Sequence, residues 1–522
     1  MSSSPETMTN VDTAWWHMER PTNLMMITGI MTLSAPIEFD RLKQVFEQRF
    51  LRFDRFRQRV VDSRALLSSP QWEFDPHFDI RAHLHRIALP APGNQTALQE
   101  LVSDLMSTPL DYTKPLWSFH LVENVGDGCA LVGRLHHCIA DGIALVRVLL
   151  SLTDDAPDAA WVDDRADGDH QRGLLSALLH PAVSAVKSTW RITENMLHEG
   201  IESVLHPTRV LDMARLGASG AARLAKIALY WPDPQTIFKG ELGVTKRAAW
   251  TAQPISLMDV KAVGKATGST VNDVLLTAVA GALRRYLLDR GEAVDGLNIR
   301  ALVPVNLRPL DKPIELGNRF GLVFLSLPIG IEDQLDRLFE LKKRMDEIKG
   351  SPEAVVALGV LHTMGMTPVE IENLILRFFA SKSTAVMTNV PGPREPLYFA
   401  GAPVESIMAW VPQSGQLGLG VSIFSYAGNV SLGIATDAGL VPDPDRIIAH
   451  FYDEFAQMQT LLPEIQEAQT PTPPPPAAVR CQGITQSGRQ CRNMAPPGAN
   501  FCRLHQSQAK PIAALDENHL LP

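Results

Sequence analysis

The sequence contains few cysteines, no excess of positive charge and no long apolar run. Five cysteines in 522 residues are too few for a disulfide scaffold. Acidic residues outnumber basic residues, 57 to 48, and the resulting net charge of -9 argues against nucleic acid as the main partner. The longest uncharged stretch, 406–436, is interrupted by Pro412 and several glycines, so it predicts buried strands rather than a membrane-spanning helix.

The beginning of the chain also lacks the features of a secretion signal. Its first 21 residues contain neither a basic stretch nor an apolar segment, so the sequence predicts no signal peptide and a cytoplasmic location. No Gly-x-Ser-x-Gly nucleophile elbow occurs anywhere in the sequence. Hydrophobic residues make up 45% of the chain and charged residues 20%, which is the balance of a folded globular protein.

Strand and helix patterns are mixed in two long stretches, which indicates an α/β protein with two lobes. Between them, 173–231 has a helical pattern. It predicts a connector that packs between the lobes, or one that lies partly on a lipid surface. The proline-rich run 471–476 predicts a stiff linker. We divide the chain into an N-terminal lobe (1–160), a helical connector (161–240), a C-terminal lobe (241–468), a linker (469–479), a Cys/His segment (480–506) and a polar tail (507–522).

The clearest indication of chemistry is the sequence HHCIADG at 136–142, between a predicted strand and a predicted helix. A histidine with a pKa near neutral can take a proton from a hydroxyl or a thiol. If the strand continues through His136 and His137, their side chains point to opposite faces and only one faces a given cleft. Asp141 stands where a helix N-cap belongs, which favours a structural role; contact with an arginine or a histidine is the alternative.

Each residue of this motif also has a purely structural interpretation. Two adjacent histidines at a strand end are, by themselves, more typical of a buried structural pair. The Asp-Gly pair at this spacing, in a strand–loop–helix context, favours a functional site instead. Cys138 lies inside the motif, but a small buried thiol is a simpler interpretation than a nucleophile.

This motif resembles a known family of acyltransferases. HHCIADG matches the HHxxxDG motif of the superfamily that includes chloramphenicol acetyltransferase, carnitine acyltransferases and peptide-synthetase condensation domains. Further segments resemble, in order over about 8–460, the blocks of the bacterial bifunctional wax ester synthase/diacylglycerol acyltransferase family. These segments are WWHME at 15–19, PLW at 115–117, TVNDV at 270–274, PVNLR at 304–308, GNRFG at 317–321 and TNVPGP at 388–393.

The resemblance implies both a fold and a reaction. The fold is two chloramphenicol-acetyltransferase-like lobes with the active site between them. In the reaction, acyl-CoA and diacylglycerol or a long-chain alcohol give triacylglycerol or a wax ester plus CoA. The resemblance makes His137 the general base for the acceptor hydroxyl, His136 a supporting residue and Asp141 a structural or orienting residue. It implies no catalytic metal, no cofactor and no covalent acyl-enzyme.

The tetrahedral intermediate of such a reaction needs hydrogen-bond donors for its oxyanion. Asn272, in the TVNDV segment, is a candidate donor, although it is equally a polar residue in the first turn of a predicted helix. Asp273 fits a capping box with Thr270, which predicts a structural role. Asn306, Arg308, Asn318, Arg319 and Asn389 also lie in the matching segments, with roles that are either structural or in CoA binding.

The Cys/His segment carries a separate signal. Cys481, Cys491, Cys502 and His505 follow the spacing C-x9-C-x10-C-x2-H, and three thiolates with one imidazole form a tetrahedral ligand set for Zn²⁺. The segment resembles a small Cys3His module that is appended to assorted bacterial proteins. So short a segment cannot build a sufficient apolar core, so a structural Zn²⁺ would have to hold it together; the alternative is a flexible tail without metal. Its arginines fit nucleic acid, anionic lipid or a protein, and the partner of the tail stays unknown.

The partners that follow are acyl-CoA and a diacylglycerol or long-chain alcohol. Because these substrates partition into lipid, the sequence also predicts peripheral association with the inner membrane or with lipid inclusions. Two alternative functions remain beside this interpretation. One is an HHxxxDG acyltransferase with a carrier-bound acyl donor, which the PLW and ND segments disfavour. The other is a non-catalytic scaffold that binds lipid or nucleic acid, which the intact motif disfavours.

Overall fold

The computed structural model describes residues 5–62, 69–157, 231–307, 314–349, 353–413, 417–462 and 479–508. By its contacts the chain divides into two compact units, Met1–Thr460 and Leu461–Pro522. Most of the predicted helical connector, 158–230, lies outside the described residues. The last part of that predicted connector, 231–240, is irregular rather than helical.

The larger unit is a mixture of strands and helices, as predicted. Its strands are β1 (Glu6–Thr7), β2 (Met26–Leu33), β3 (Gln58–Val61), β4 (Gln71–Phe74), β5 (Leu84–Ala88), β6 (Trp117–Val125), β7 (Gly128–His136), β8 (Lys246–Trp250), β9 (Ile255–Ser256), β10 (Ile299–Asn306), β11 (Phe320–Leu327), β12 (Ala385–Pro391), β13 (Tyr398–Phe399), β14 (Ala402–Trp410), β15 (Leu419–Tyr426) and β16 (Asn429–Asp437). Its helices are α1 (Asn10–His17), α2 (Phe39–Val45), α3 (Gln95–Ser107), α4 (Gly142–Leu150), α5 (Leu257–Thr267), α6 (Val271–Asp289), α7 (Gln334–Lys349), α8 (Glu353–Met364), α9 (Val369–Ser381) and α10 (Pro444–Thr460).

A six-stranded sheet carries the histidine motif. Its order is β13-β14-β2-β7-β6-β5, and β7 ends at His136. β13 and β14 belong to the stretch that the sequence assigns to the C-terminal lobe, yet β14 pairs with β2, with Trp410 opposite Thr28. A strictly linear division of the chain into lobes therefore does not describe this sheet.

Aromatic side chains pack on this sheet around Trp117 of the PLW segment. Trp117 is buried, lies 4.9 Å from Phe50 between ring centroids, and donates a hydrogen bond from Nε1 to the Phe56 carbonyl at 2.8 Å. Gly133 leaves room for the Phe119 ring, because a Cβ there would lie 2.3 Å from Phe119 Cε1. Trp117 thus packs in the interior of the first lobe.

The second large sheet has seven strands in the order β11-β10-β12-β15-β16-β8, with β9 beside β16. β15 and β16 form a hairpin joined by Ala427 and Gly428, whose φ angles of 46° and 79° suit a two-residue turn. The predicted capping box is also confirmed, since Thr270 Oγ1 accepts from the Asp273 N–H and Asp273 accepts from the Thr270 N–H. A small third sheet has the order β1-β4-β3.

Candidate active site

The two histidines of the motif lie where β7 ends and a tight loop begins. His136 is the last residue of the strand, opposite Met26 of β2. The strand does not continue through His137, whose N–H donates to the Met25 carbonyl at 2.7 Å. The loop then continues to the N-cap of α4. Because His136 ends the strand and His137 begins the loop, the two imidazoles have different neighbours.

His137 is buried between aromatic rings from both halves of the larger unit. Its imidazole stacks on Trp15 of α1, with ring centroids 3.9 Å apart, and lies 5.6 Å from the ring of Phe320 at the start of β11. Among the described residues, Nδ1 of His137 has no hydrogen-bond partner. Burial lowers the pKa of His137 to about 3. The ring is therefore neutral at physiological pH, and one of its nitrogens can accept a proton.

His136 is fully buried, and a polar group lies against each of its ring nitrogens. Its Nδ1 accepts a hydrogen bond from the Cys138 N–H at 3.1 Å, so the proton of the neutral ring is on Nε2. That Nε2 lies 3.3 Å from a carboxylate oxygen of Glu19, although the angle falls outside hydrogen-bond geometry. Glu19 also accepts from the Tyr112 hydroxyl and from the Met25 N–H, each at 2.5 Å. This arrangement fixes His136 and the loop that carries His137.

A residue from the second half fixes the backbone of His137. The side-chain Nδ2 of Asn318 donates both to the His137 carbonyl and to Asp12 Oδ1, each at 2.8 Å. Asp12 Oδ2 accepts from the Thr9 hydroxyl at 2.7 Å. Burial raises the pKa of Asp12 to about 6, against the opposing effect of these hydrogen bonds. The start of the chain, the histidine loop and the segment 317–319 thus form one hydrogen-bonded cluster.

Asp141 occupies the N-cap position predicted for it. Its Oδ1 accepts from the Ala144 N–H at 2.9 Å, and its Oδ2 accepts from the backbone N–H of Arg319 at 3.0 Å. The Asp141 N–H donates to the Gly317 carbonyl at 3.2 Å, and the Gly317 N–H donates to the Ile139 carbonyl at 3.0 Å. The carboxylate therefore joins the motif to the 317–319 segment through backbone groups, which suits a structural role.

Cys138 is fully buried, and burial raises the pKa of its thiol well above the usual value. A thiol in this state contains almost no thiolate at neutral pH, and the thiolate is the nucleophilic form. The structure thus favours the interpretation of Cys138 as a small buried side chain.

Asn272 lies in the first turn of α6, where its Oδ1 accepts from Asn389 Nδ2 at 2.7 Å. Two of the matching segments, TVNDV and TNVPGP, therefore meet through their asparagines. This bond turns the donor Nδ2 of Asn272 away from Asn389. Within the described residues, Asn272 makes no hydrogen bond to either histidine, so its role as oxyanion donor stays a prediction. Arg308 lies outside the described residues.

In the smaller unit, Cys481, Cys491, Cys502 and His505 come together. Their ligand atoms all lie within 4.8 Å of one another. These are the four residues that the spacing of the tail singled out.

Two models of one protein family match this chain. Residues 8–275 match the family model described as the wax ester synthase/diacylglycerol acyltransferase catalytic domain. The chain belongs to the wax ester synthase/diacylglycerol acyltransferase family. The model of the WS/DGAT C-terminal domain matches residues 316–459. The resemblance seen in the sequence is confirmed, and the protein is an acyltransferase of this family.

One relative supports the same assignment, and two solved structures share the fold. The chain is 30% identical, over 79% of its length and 86% of the relative, to "Probable diacyglycerol O-acyltransferase tgs1" of Mycobacterium tuberculosis. Its fold is similar to that of the wax ester synthase/diacylglycerol acyltransferase from Marinobacter aquaeolei VT8, with a TM-score of 0.62 and 22% identity over 88% of this chain and all of the other. A starter condensation domain of rhizomide synthetase RzmA, a mutant solved with C8-CoA and Leu-SNAC, matches with a TM-score of 0.52 and 14% identity, covering 88% and 95%.

For several residues of the site, the sequence does not indicate their contacts with the two histidines. Trp15 and Glu19 occur in the segment that resembles the family's start, but nothing in their spacing shows that they contact His137 and His136. Tyr112 carries no sequence signal. Asn318 stands in a matching segment, and only the fold shows that it bonds to the His137 carbonyl.

Proposed function

We propose that the protein transfers a long-chain acyl group from acyl-CoA to the hydroxyl of diacylglycerol or a long-chain alcohol, with His137 as general base. The observation that carries the proposal is the burial of the His137 imidazole between Trp15 and Phe320. A base must be unprotonated before the reaction, and burial keeps this ring so. The family assignment supports the substrate classes.

In the proposed reaction, the acceptor hydroxyl gives its proton to an unprotonated ring nitrogen of His137 while its oxygen attacks the thioester carbonyl. A C–O bond forms, and the carbonyl oxygen becomes the oxyanion of a tetrahedral intermediate. The C–S bond then breaks, and the departing thiolate of CoA takes the proton from His137. The products are an ester and free CoA, and the imidazole is neutral again. No group of the protein is acylated.

In this proposal, the residues around His137 orient its ring and do not react themselves. Asn318 and the Met25 carbonyl hold the His137 backbone, and Trp15 holds the plane of the ring. His136 and Asp141 fix the two ends of the loop. Such positioning matters because a misplacement of about 1 Å can cost about a hundredfold in rate. We propose that Asn272 donates from Nδ2 to the oxyanion, supported by the orientation that Asn389 gives its amide.

The experiment is CoA release by the purified chain from palmitoyl-CoA with hexadecanol, with diacylglycerol, or with no acceptor. A parallel reaction offers the same acyl group on a carrier protein. We expect acceptor-dependent release from palmitoyl-CoA, and the faster acceptor identifies the product. Release of the carrier thiol without release of CoA would overturn the proposed donor, and no thiol release from either donor would overturn the proposed activity.

We also propose that the protein associates peripherally with a lipid surface, because the proposed acceptors partition into lipid. No helix within the described residues combines the length and the apolar character needed to cross a membrane. One face of α9, however, exposes Ile371, Leu374 and Phe378, by 49%, 69% and 42%. Their i, i+3, i+7 spacing puts them on one side of the helix, as in helices that lie on membranes. Arg377 is exposed on the same helix and suits anionic headgroups.

Flotation with vesicles of phosphatidylcholine and phosphatidylglycerol tests this surface. The variant Ile371→Glu/Leu374→Glu should lose most of the binding of the wild-type chain. Met258→Glu is the control, because Met258 on α5 is more exposed than either substituted residue, at 79%, and stands outside the α9 face. Equal binding by all three proteins would contradict the assignment of α9, and no binding by the wild type would contradict the association itself.

A further inference from the structure

The smaller unit brings four potential metal ligands together at its centre. Sγ of Cys491 lies 3.9 Å from Sγ of Cys502, and Nδ1 of His505 lies 3.7 Å from Sγ of Cys481 and 3.3 Å from Sγ of Cys502. In a tetrahedral zinc site with metal–ligand distances of about 2.3 Å to sulfur and about 2.1 Å to nitrogen, neighbouring ligand atoms are about 3.6–3.8 Å apart. These three separations are close to those that a zinc ion requires, and all four ligand atoms lie within 4.8 Å of one another.

The backbone around the cysteines is arranged for thiolates. The N–H groups of Gly483 and Cys502 donate to Sγ of Cys481 at 3.3 and 3.2 Å, and the Asn493 N–H donates to Sγ of Cys491 at 3.5 Å. Such donors stabilise negative charge on sulfur, and the thiolate is the form that binds a metal. The backbone thus favours the charge state that coordination needs.

A glycine makes room for the histidine ligand. A Cβ at Gly483 would lie 2.5 Å from both Cβ and Cγ of His505, so a larger residue would push the ring away from the sulfurs. The presence of a histidine beside the cysteines also favours a metal site over disulfide bonds, because an imidazole cannot take part in a disulfide. The ring and the three sulfurs converge as one set of ligands.

Apolar packing does not explain why these residues are buried. In the stretch 479–508, the hydrophobic cluster consists of the three cysteines with Phe501 packed against them. So small a cluster removes too little apolar surface from water to fold a segment of this length. The three cysteine side chains lie where a hydrophobic core would be, so an interaction other than apolar packing must stabilise this segment.

We propose that Cys481, Cys491, Cys502 and His505 hold a structural zinc ion. Three thiolates and an imidazole select a soft or borderline metal over magnesium or calcium, and four protein ligands leave no open coordination position. The ion therefore stabilises the fold of the smaller unit and takes no part in acyl transfer. The site lies beyond residue 459, where the match to the C-terminal family model ends, so it stands or falls separately from the proposed function.

The test is the metal content of the full chain, expressed without a metal-affinity tag, supplied with Zn²⁺ under reducing conditions and freed of excess metal by gel filtration. We expect about one zinc per chain. The variant Cys491→Ala/Cys502→Ala should retain less than about a tenth of that amount. Cys129→Ala/Cys138→Ala is the matched control, because it removes the other two buried thiols and should keep the zinc.

A second measurement reports on folding rather than metal content. Trypsin cleaves after arginine, and Arg480, Arg489, Arg492 and Arg503 lie within the segment. Treatment with a zinc chelator should speed cleavage at Arg489 and Arg492 at least about tenfold, and added Zn²⁺ should restore the resistance. A wild-type chain without zinc, zinc retained by Cys491→Ala/Cys502→Ala, or a bound metal other than zinc would overturn the proposal.

Discussion

Asn318 donates a hydrogen bond from its side-chain amide to the carbonyl of His137, at 2.8 Å. The two residues are 181 positions apart in the chain, and the same amide also donates to the buried carboxylate of Asp12. One asparagine from the second half therefore sets the position of the proposed base and connects it to α1. The site exists only when both halves of the larger unit are packed together.

Replacing Asn318 should lower activity through His137 rather than through substrate binding. Asn318→Ala leaves the His137 carbonyl without this partner, at a cost of about 1–3 kcal/mol, whereas Asp12 Oδ1 keeps the hydrogen bond from the backbone N–H of residue 318 at 3.2 Å. We expect kcat to fall about 10–100-fold with a smaller change in KM. Steady-state kinetics with a thermal unfolding scan tests this, with Asn298→Ala as the surface control. An unchanged kcat in a folded variant would show that the bond is not needed.

Trp15 should determine both the position and the pKa of His137. Trp15→Phe keeps an aromatic ring against the imidazole, whereas Trp15→Ala leaves a cavity at a cost of about 3–5 kcal/mol. We expect Trp15→Phe to keep most of the activity and Trp15→Ala to lose most of it. Because water would reach the ring in Trp15→Ala, the acid limb of its pH–rate profile should move to higher pH. Identical profiles for the two variants would contradict this role.

The pH dependence of the wild-type rate should lack the usual inflection of a histidine. Since burial lowers the pKa of His137 to about 3, the base is already neutral across about pH 6–8, and the rate should be flat there.

The pKa of Asp12 is raised to about 6, so Asp12 favours folding at low pH and this contribution is lost as the pH rises through 6. His137 has the opposite effect on stability, which is lost as the pH falls below about 6.5. Because these two effects on stability oppose each other, the rate of CoA release is the more direct test. An inflection of this rate near pH 6.5 would contradict a base that is buried and neutral.

Cys138 should be dispensable for the chemistry. Its thiol is fully buried with a raised pKa, and the proposed reaction passes the acyl group directly to the acceptor. Cys138→Ala should retain activity within about threefold, with a stability loss of about 1 kcal/mol. Rapid quenching during turnover with radiolabelled palmitoyl-CoA should find no label on the protein. A labelled cysteine, together with an inactive variant, would indicate a covalent mechanism.

The parts of the structure that could be predicted from sequence are those that local chemistry determines. The capping box of Thr270 and Asp273 and the N-cap at Asp141 depend on residues within three positions of one another. The β15–β16 hairpin depends on its two-residue turn. Each signal is contained in a few consecutive side chains, so the sequence pattern was enough.

The parts that could not be predicted depend on long-range packing. Contact between Trp15 and His137, or between Glu19 and His136, follows from how α1 lies on the end of β7. The pairing of β14 with β2 joins residues that are far apart in sequence, and no local pattern indicates it. The family resemblance marked several of these segments, but it could not say which atoms meet.

The central claim is that His137 takes the proton of the acceptor hydroxyl. The most direct measurement is the initial rate of CoA release with the preferred acceptor, for the wild type, His137→Ala and the control His120→Ala. His120 is also buried but lies on β6 outside the site, and circular dichroism checks that all three proteins are folded. The account predicts a loss of about 10²–10⁴-fold for His137→Ala and a rate within about threefold of wild type for His120→Ala. A folded His137→Ala protein that transfers acyl groups at the wild-type rate would contradict it.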